Sequence, residues 1–213
     1  MKKYIFLIII SFISLTCFVS ASNNLPLIGK VIVIDPGHGY KDPGTVFNDV
    51  YEKDLNLIIS LKLRNVLEKN GATVLMTRDG DYDLSSPNAM FRKKSDFDNR
   101  IKLINNSNAD LYLSIHQNFL DDSSYFGPQV FYKIEDISLA KIMQKYLNEG
   151  SFSNRDIKLI PSDTYMYKKL KVKGLLIECG FLSNRSDREN LLKEEYQEKL
   201  VNKINNALID YFT

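Results

Sequence analysis

Cysteine and histidine are both scarce in this 213-residue sequence, which contains two of each. Cys17 lies in the N-terminal apolar run, so the rest of the chain keeps only Cys179. A single cysteine cannot form an intramolecular disulfide, and the fold must therefore depend on a packed core. Any imidazole chemistry must use His38 or His116.

The sequence also lacks an excess of charge. Its formal net charge of +2 comes from Lys2 and Lys3, because residues 22–213 carry equal numbers of acidic and basic side chains. Nucleic acids and anionic lipids select basic surfaces, so we expect neither as the main partner. An uncharged polymer or a small peptide fits this composition better.

The N-terminal segment has the layout of a secretory signal peptide. Two lysines precede an apolar run over residues 4–18, and the small-residue pattern Val-Ser-Ala ends at Ala21. A membrane-spanning helix usually needs about 20 apolar residues, which favours a cleaved signal over an uncleaved anchor. We therefore predict a signal peptide over residues 1–21, an exported domain over 22–213, and no other membrane contact.

Short apolar runs rich in β-branched residues alternate with helical patterns along this domain. The predicted strands span residues 31–34, 73–76, 111–115 and 175–177, with a further candidate at 129–132. Apolar residues at helical spacing predict helices over 54–70, around 101–104, over 139–147 and over 200–208. This alternation predicts a single α/β domain with an open, mostly parallel twisted sheet and helices on both faces.

A long polar stretch over about residues 79–98 is predicted to be a surface loop. Loops of this length in compact domains are usually functional or mobile. A solvated insertion without a role is the alternative.

Titratable side chains follow three of the predicted strands. His38 comes after the first strand and a turn, while His116 and Glu178 directly follow the strands at 111–115 and 175–177. Sheets of this type bind ligands beyond the carboxyl ends of their strands, so we expect these side chains to share one edge.

Two histidines and a glutamate are a known ligand set for hydrolytic zinc, which keeps its fourth position for water. Chemistry alone allows either Glu52 or Glu178 to complete the set, with the other carboxylate moving protons. Such a site favours hydrolysis of an amide or similar acyl bond. A Cys179 nucleophile is the rival interpretation, but successive strand residues point to opposite faces, which directs this thiol to the core.

Four motifs in this order resemble the zinc-dependent N-acetylmuramoyl-L-alanine amidases of bacterial peptidoglycan. They are "VIVIDPGHG", "EKDLNL", "ADLYLSIHQN" and "LLIECGFLSN", and the resemblance covers about residues 30–212. It implies one Zn²⁺ per chain, held by His38, Glu52 and His116, and it implies that Glu178 is the catalytic glutamate. Asn118 is a candidate substrate contact, with a hydrogen bond inside its own loop as the alternative.

The segments "MTRDGDYDLSSP", "FRKKSDFDNRIKLINNSNADL" and "EEYQEKL" are similar to the germination-specific branch of that family. This similarity implies cleavage of the bond between the lactyl group of N-acetylmuramic acid and L-alanine in spore cortex, on the route to muramic lactam. The expected location is the cell wall or the forespore intermembrane space, with glycan strands and stem peptides as substrate. One departure is Tyr40, which stands where the family commonly has a second glycine.

Two other functions fit parts of the pattern. A zinc carboxypeptidase-like peptidase usually has a ligand glutamate three residues after its first histidine, and this chain has Lys41 there. A weakly active wall-binding homologue that needs an activating protein partner is the second alternative. Arg78 and Arg100 are interpreted as partners of neighbouring acids rather than as substrate contacts.

Overall fold

A computed structural model describes residues 25–213 of the chain. The predicted signal peptide over 1–21 lies outside these residues, and it stays a prediction. The strands are β1 (Val31–Pro36), β2 (Val46–Phe47), β3 (Val50–Tyr51), β4 (Thr73–Met76), β5 (Leu111–Asn118), β6 (Gln129–Tyr132), β7 (Lys158–Leu159) and β8 (Gly174–Phe181). The helices are α1 (Glu52–Lys69), α2 (Arg92–Asn105), α3 (Ile137–Asn148), α4 (Arg185–Leu191) and α5 (Glu194–Phe212). None of these five helices has both the length and the apolar character needed to cross a membrane.

Six strands form one sheet in the order β4-β1-β5-β8-β6-β7. Strands β4, β1, β5 and β8 are mutually parallel, whereas β6 pairs with β8 in the antiparallel sense and β7 is parallel to β6. This confirms the predicted α/β domain with a mostly parallel sheet. The carboxyl ends of β1, β5 and β8 consequently meet at one edge, where ligands of such sheets bind.

Helices cover both faces of the sheet, as predicted. The larger core lies under α1, α3 and α5, where Ile59, Met143 and Ile204 are fully buried against alternate residues of the strands. On the other face, Ile101 and Ile104 of α2 pack with Val33 and Tyr112. Strands buried on both faces explain why their sequences are almost continuously apolar.

The predicted surface loop over 79–98 is shorter than expected, because α2 already begins at Arg92. The first two turns of α2 bury polar groups instead of apolar ones, which hides the helix from a hydrophobic pattern. Asp96 is buried and accepts hydrogen bonds from the Leu84 backbone N–H and the Arg100 guanidinium. Regular apolar spacing starts only after these turns.

The β2–β3 hairpin was not predicted from the sequence. Its two strands have two residues each, and they are joined by Asn48 and Asp49 with φ of +50° and +59°. These angles are those of a type I′ turn, which Asn and Asp tolerate better than other non-glycine residues. The hairpin leads directly into α1 and fixes where that helix starts.

Candidate active site

The edge formed by β1, β5 and β8 brings the predicted site residues together. His38 lies two residues beyond β1, His116 is near the end of β5, and its register partner on β8 is Glu178. Glu52 is the first residue of α1, where the β2–β3 hairpin ends. Residues that are far apart in sequence thus lie close together, because the carboxyl ends of three parallel strands and the N-terminus of α1 meet at this edge.

His38, Glu52 and His116 each offer one ligand atom, and these atoms lie within 4.8 Å of one another. Oε1 of Glu52 is 3.1 Å from Nε2 of His38 and 2.9 Å from Nδ1 of His116. The two imidazole rings are 5.0 Å apart, centroid to centroid, and nearly perpendicular. Ligand atoms of tetrahedral zinc, at about 2.0–2.2 Å from the ion, have similar separations.

Two backbone N–H groups, one before β2 and one in β5, hold the Glu52 carboxylate in this position. Its Oε2 accepts a hydrogen bond from the Thr45 backbone N–H at 2.8 Å, and its Oε1 accepts one from the Gln117 N–H at 3.2 Å. The Glu52 side chain is only 4% exposed. A buried carboxylate held in this way has little freedom to move when a cation binds.

The electrostatics of this cluster favour a cation. Burial lowers the pKa of His38, but hydrogen bonds to Asp42 and Glu52 outweigh burial and raise that pKa to about 9. Burial also raises the pKa of Glu52, but hydrogen bonds to His116 and His38 hold it well below its ordinary value. The two carboxylates next to the two imidazoles therefore stabilise a positive charge in this cluster, and either a proton or a metal ion can provide that charge.

Asp42 was not recognised as part of the site from the sequence. Its Oδ2 lies 3.1 Å from Nδ1 of His38, so the other ring nitrogen faces Glu52. Carboxylates commonly orient metal-binding histidines in this way. The signal that could have revealed it is its i+4 spacing from His38 within the same loop.

Glu178 differs from Glu52 because its carboxyl group has a buried oxygen atom without a hydrogen bond. Its Oε2 is buried and has no hydrogen-bond partner within residues 25–213. Burial raises the pKa of Glu178 to about 8, and the Glu52 carboxylate adds to this shift while His38 opposes it. A carboxyl group with a raised pKa beside a metal-ligand cluster is suited to accepting and returning a proton.

Two fully buried arginines fix the loop that carries His38. Arg100 bonds to Asp35 and Asp96 and donates to the Pro36 and His38 carbonyl oxygens. The interpretation as an ion-pair residue is confirmed for Arg100. It is wrong for Arg78, which donates to backbone carbonyl oxygens, namely those of Pro36, Gly37, Lys53 and Gly80.

Tyr40 has a backbone conformation that glycine adopts more easily than other residues. Its φ is +54°, in the left-handed region that most side chains avoid. Here the Tyr40 N–H donates to Asp81 at 2.7 Å, and the Arg92 guanidinium lies 4.8 Å from the Tyr40 ring centroid. These contacts hold a non-glycine residue in a strained conformation two positions after His38.

A substitution at Gly37 tests whether the His38 loop must lie in close contact with His116. A methyl group added at Gly37 would overlap the His116 imidazole ring. We expect Gly37→Ala to weaken the affinity for Zn²⁺ about tenfold or more, because displaced supporting groups typically reduce metal affinity on that scale. Titration with Zn²⁺ measures this, with Gly80→Ala as the control, since its added methyl group meets only the Tyr82 ring at 3.3 Å. Equal affinities in the two variants would contradict the expected displacement.

The remaining candidates occupy less central positions. Cys179 is fully buried in the larger core, and burial raises its pKa, so the nucleophile interpretation is not supported. Oδ1 of Asn118 accepts a hydrogen bond from the Phe119 N–H at 2.8 Å, inside its own loop. A substrate contact through Asn118 stays a prediction.

His38, His116 and Glu178 line a cavity of about 240 Å³ together with Asp42, Phe97 and Tyr165. A larger groove of about 580 Å³ lies beside β6 and β7, and none of the four predicted site residues lines it. The smaller cavity therefore combines two of the three candidate metal ligands, His38 and His116, with the candidate proton carrier Glu178.

Comparison with known proteins identifies the family of this chain. The family model for N-acetylmuramoyl-L-alanine amidases matches residues 32–210. A germination-specific N-acetylmuramoyl-L-alanine amidase of Bacillus subtilis is 39% identical over 197 residues, which cover 89% of this chain and 83% of that protein.

Two solved structures extend the similarity to the fold. The CwlD amidase of Clostridioides difficile, solved in complex with the GerS lipoprotein, is 38% identical with a TM-score of 0.80, and the match covers 86% of this chain and 98% of that chain. The catalytic domain of the CwlV amidase from Bacillus (Paenibacillus) polymyxa is 28% identical with a TM-score of 0.74, covering 85% and 97%. The chain belongs to the N-acetylmuramoyl-L-alanine amidase family, whose members hydrolyse the amide bond between N-acetylmuramic acid and L-alanine.

Proposed function

We propose that this chain is an exported, zinc-dependent amidase that removes stem peptides from N-acetylmuramic acid in spore cortex, on the route to muramic lactam. The observation that carries the proposal is the buried Oε2 of Glu178, which has no hydrogen-bond partner among residues 25–213 and belongs to a residue that lines the same cavity as His38 and His116. The germination-specific relative supports the cortex as substrate. The corresponding location is the cell wall or the forespore intermembrane space.

His38, Glu52 and His116 would hold the metal ion. The donor set of two nitrogens and one carboxylate oxygen fits zinc in a hydrolytic site, where one position stays open. Zn²⁺ bound there supplies a Lewis acid that acidifies water and polarises a carbonyl group. Magnesium and calcium prefer oxygen donors, so two imidazoles argue against them.

The protein's own residues carry the proton transfers. Glu178 takes a proton from the attacking water and delivers it to the leaving nitrogen of L-alanine, which breaks the amide bond. Its unpartnered Oε2 is free to accept that proton because no side chain of the described residues competes for it. Asp42 keeps the His38 ring oriented, and Arg100 keeps the His38 loop in place.

Digestion of a purified muropeptide tests this function. We expect two products, a glycan fragment and an intact stem peptide with a free L-alanine amino group, which mass spectrometry distinguishes from the substrate. The zinc carboxypeptidase-like alternative predicts stepwise loss of residues from the peptide's carboxyl end. That pattern, or the absence of any cleavage, would contradict the proposal.

A protein activator is the partner we propose in addition to peptidoglycan. The support is that the Clostridioides difficile relative was solved in complex with the GerS lipoprotein. The isolated chain would then have lower zinc content and turnover than the same chain in a spore extract. Equal zinc content and turnover in both settings would argue against an activator.

A further inference from the structure

A group of four lysines lies next to residues that line the cavity containing Glu178, on the side of α2. We call Lys41, Lys93, Lys94 and Lys169 the lysine rim; all four are exposed. Lys93 and Lys94 belong to the first turn of α2, and Lys169 ends the turn that follows Tyr165. Since the domain as a whole is neutral, this local grouping is a distinct feature of the surface.

Aromatic rings anchor the rim to the cavity wall. Phe97 and Tyr165 both line the cavity, and their ring centroids are 6.3 Å apart. The Lys169 ammonium lies 3.8 Å from the Tyr165 centroid, and that of Lys93 lies 5.9 Å from the Phe97 centroid. The ammonium groups of Lys169 and Lys93 therefore lie next to two residues of the cavity wall.

The acidic groups near the rim do not balance it. Asp98 lies 2.7 Å from Lys94 and 3.5 Å from Lys169, and it also accepts the Tyr165 hydroxyl. Asp42 lies 3.4 Å from Lys93, and it already contacts His38.

The other carboxylates on this side have their own arginine partners: Asp83 pairs with Arg92, and Asp96 pairs with Arg100. Lys41 has no carboxylate within 4.0 Å among residues 25–213. Three of the four ammonium groups thus share two carboxylates, each of which already contacts another donor, and Lys41 pairs with neither.

A second cavity lies beside Lys41 and Lys93 of the rim. It has a volume of about 280 Å³, and its lining consists of these two lysines, Arg92 and the acidic residues Asp42, Asp83 and Asp96. It shares Asp42 and Asp96 with the cavity that contains Glu178. The two cavities therefore adjoin at these two residues, on the side of α2.

We infer that the lysine rim binds the carboxylates of the stem peptide, and so places the acidic leaving group along α2. The inference rests on the proposed function, because an N-acetylmuramoyl-L-alanine amidase must hold a neutral sugar on one side of the bond and an acidic peptide on the other. Ammonium groups bind carboxylates through charge-assisted hydrogen bonds, and a cluster of exposed positive charges attracts acidic ligands. The rim therefore determines the orientation of the substrate and the preference for peptides with free carboxylates.

The test compares a muropeptide with free carboxylates and the same muropeptide with those groups amidated. For the double variant Lys93→Gln/Lys169→Gln, we expect the KM for the free-carboxylate substrate to rise about tenfold, with kcat changed less than about twofold, which equals a loss of about 1.4 kcal/mol. With the amidated substrate, the KM difference between wild type and variant should largely disappear. High salt should also reduce the difference, because it screens exposed charges.

Lys199→Gln is the matched control, since Lys199 is 60% exposed and pairs with Glu195 on α5, compared with 64% exposure for Lys93. Because Lys93 contacts Asp42, the zinc content of the double variant is measured alongside, and an unchanged content supports a direct role in substrate binding.

Three results would overturn the inference: an unchanged KM, an equal rise for both substrates, or a defect seen only in spore extract, which would assign the rim to an acidic partner protein. Failure of the proposed function looks different, because wild type would then cleave neither muropeptide.

Discussion

Replacing Glu178 with glutamine is expected to lower kcat about a thousandfold while the protein keeps its metal ion. General acid–base groups typically contribute 10²–10⁴-fold, and the uncharged amide cannot accept a proton. Glutamine has nearly the same size, so the cavity and the neighbouring strands should be unaffected. Rates on a purified muropeptide and the bound zinc, measured on the same sample, check both parts of this expectation.

The control for this variant is a carboxylate far from the cavity. Glu195→Gln on α5 removes an exposed acid that pairs with Lys199, and it should leave both rate and zinc content unchanged. Full activity in Glu178→Gln would remove Glu178 from the mechanism. Loss of zinc together with activity would instead place Glu178 among the groups that hold the ion.

Arg100→Met is expected to destabilise the fold by about 3–5 kcal/mol, because it leaves buried carboxylates without their counter-charge. The Arg100 side chain is 2% exposed and lies 2.7 Å from Asp35 and 2.8 Å from Asp96. It also donates to the His38 carbonyl oxygen at 2.7 Å, so the loop that carries His38 loses its support. Chemical denaturation monitored by circular dichroism measures the change in the free energy of unfolding.

Arg185→Met provides a matched comparison on the surface. Arg185 forms an i,i+4 pair with Glu189 at 2.7 Å, but its side chain is 85% exposed. Exposed pairs of this kind contribute little to stability, and we expect no measurable change. If the two substitutions changed the free energy of unfolding by similar amounts, Arg100 would not stabilise the fold through its contacts with Asp35 and Asp96.

The fold was predictable in those segments where buried residues produce a recognisable apolar pattern in the sequence. Strands β1, β4, β5, β6 and β8 were identified because they consist of short apolar runs, and β1, β5 and β8 deliver His38, His116 and Glu178 to one edge. The placement of these three residues followed from the parallel topology alone. Assigning Glu52 as a ligand and Glu178 as proton carrier required the family resemblance, because either carboxylate satisfies the chemistry.

Features that depend on non-local polar contacts could not be predicted. The contact of Arg100 with the His38 carbonyl oxygen joins residues 62 positions apart, and that of Arg78 with the Gly37 carbonyl oxygen joins residues 41 apart. The start of α2 was missed because its buried residues in the first turns are charged. The β2–β3 hairpin was missed because two-residue strands have no periodicity to detect.

Titration of the metal-free protein with Zn²⁺ tests most directly whether His38, Glu52 and His116 form one metal site beside Glu178. When the titration is carried to excess Zn²⁺, calorimetry should give one Zn²⁺ per chain for wild type and for Glu178→Gln, and this binding should disappear in His38→Ala and in His116→Ala. Retention of one tightly bound Zn²⁺ in both histidine variants would show that the ion binds elsewhere, and would contradict the account.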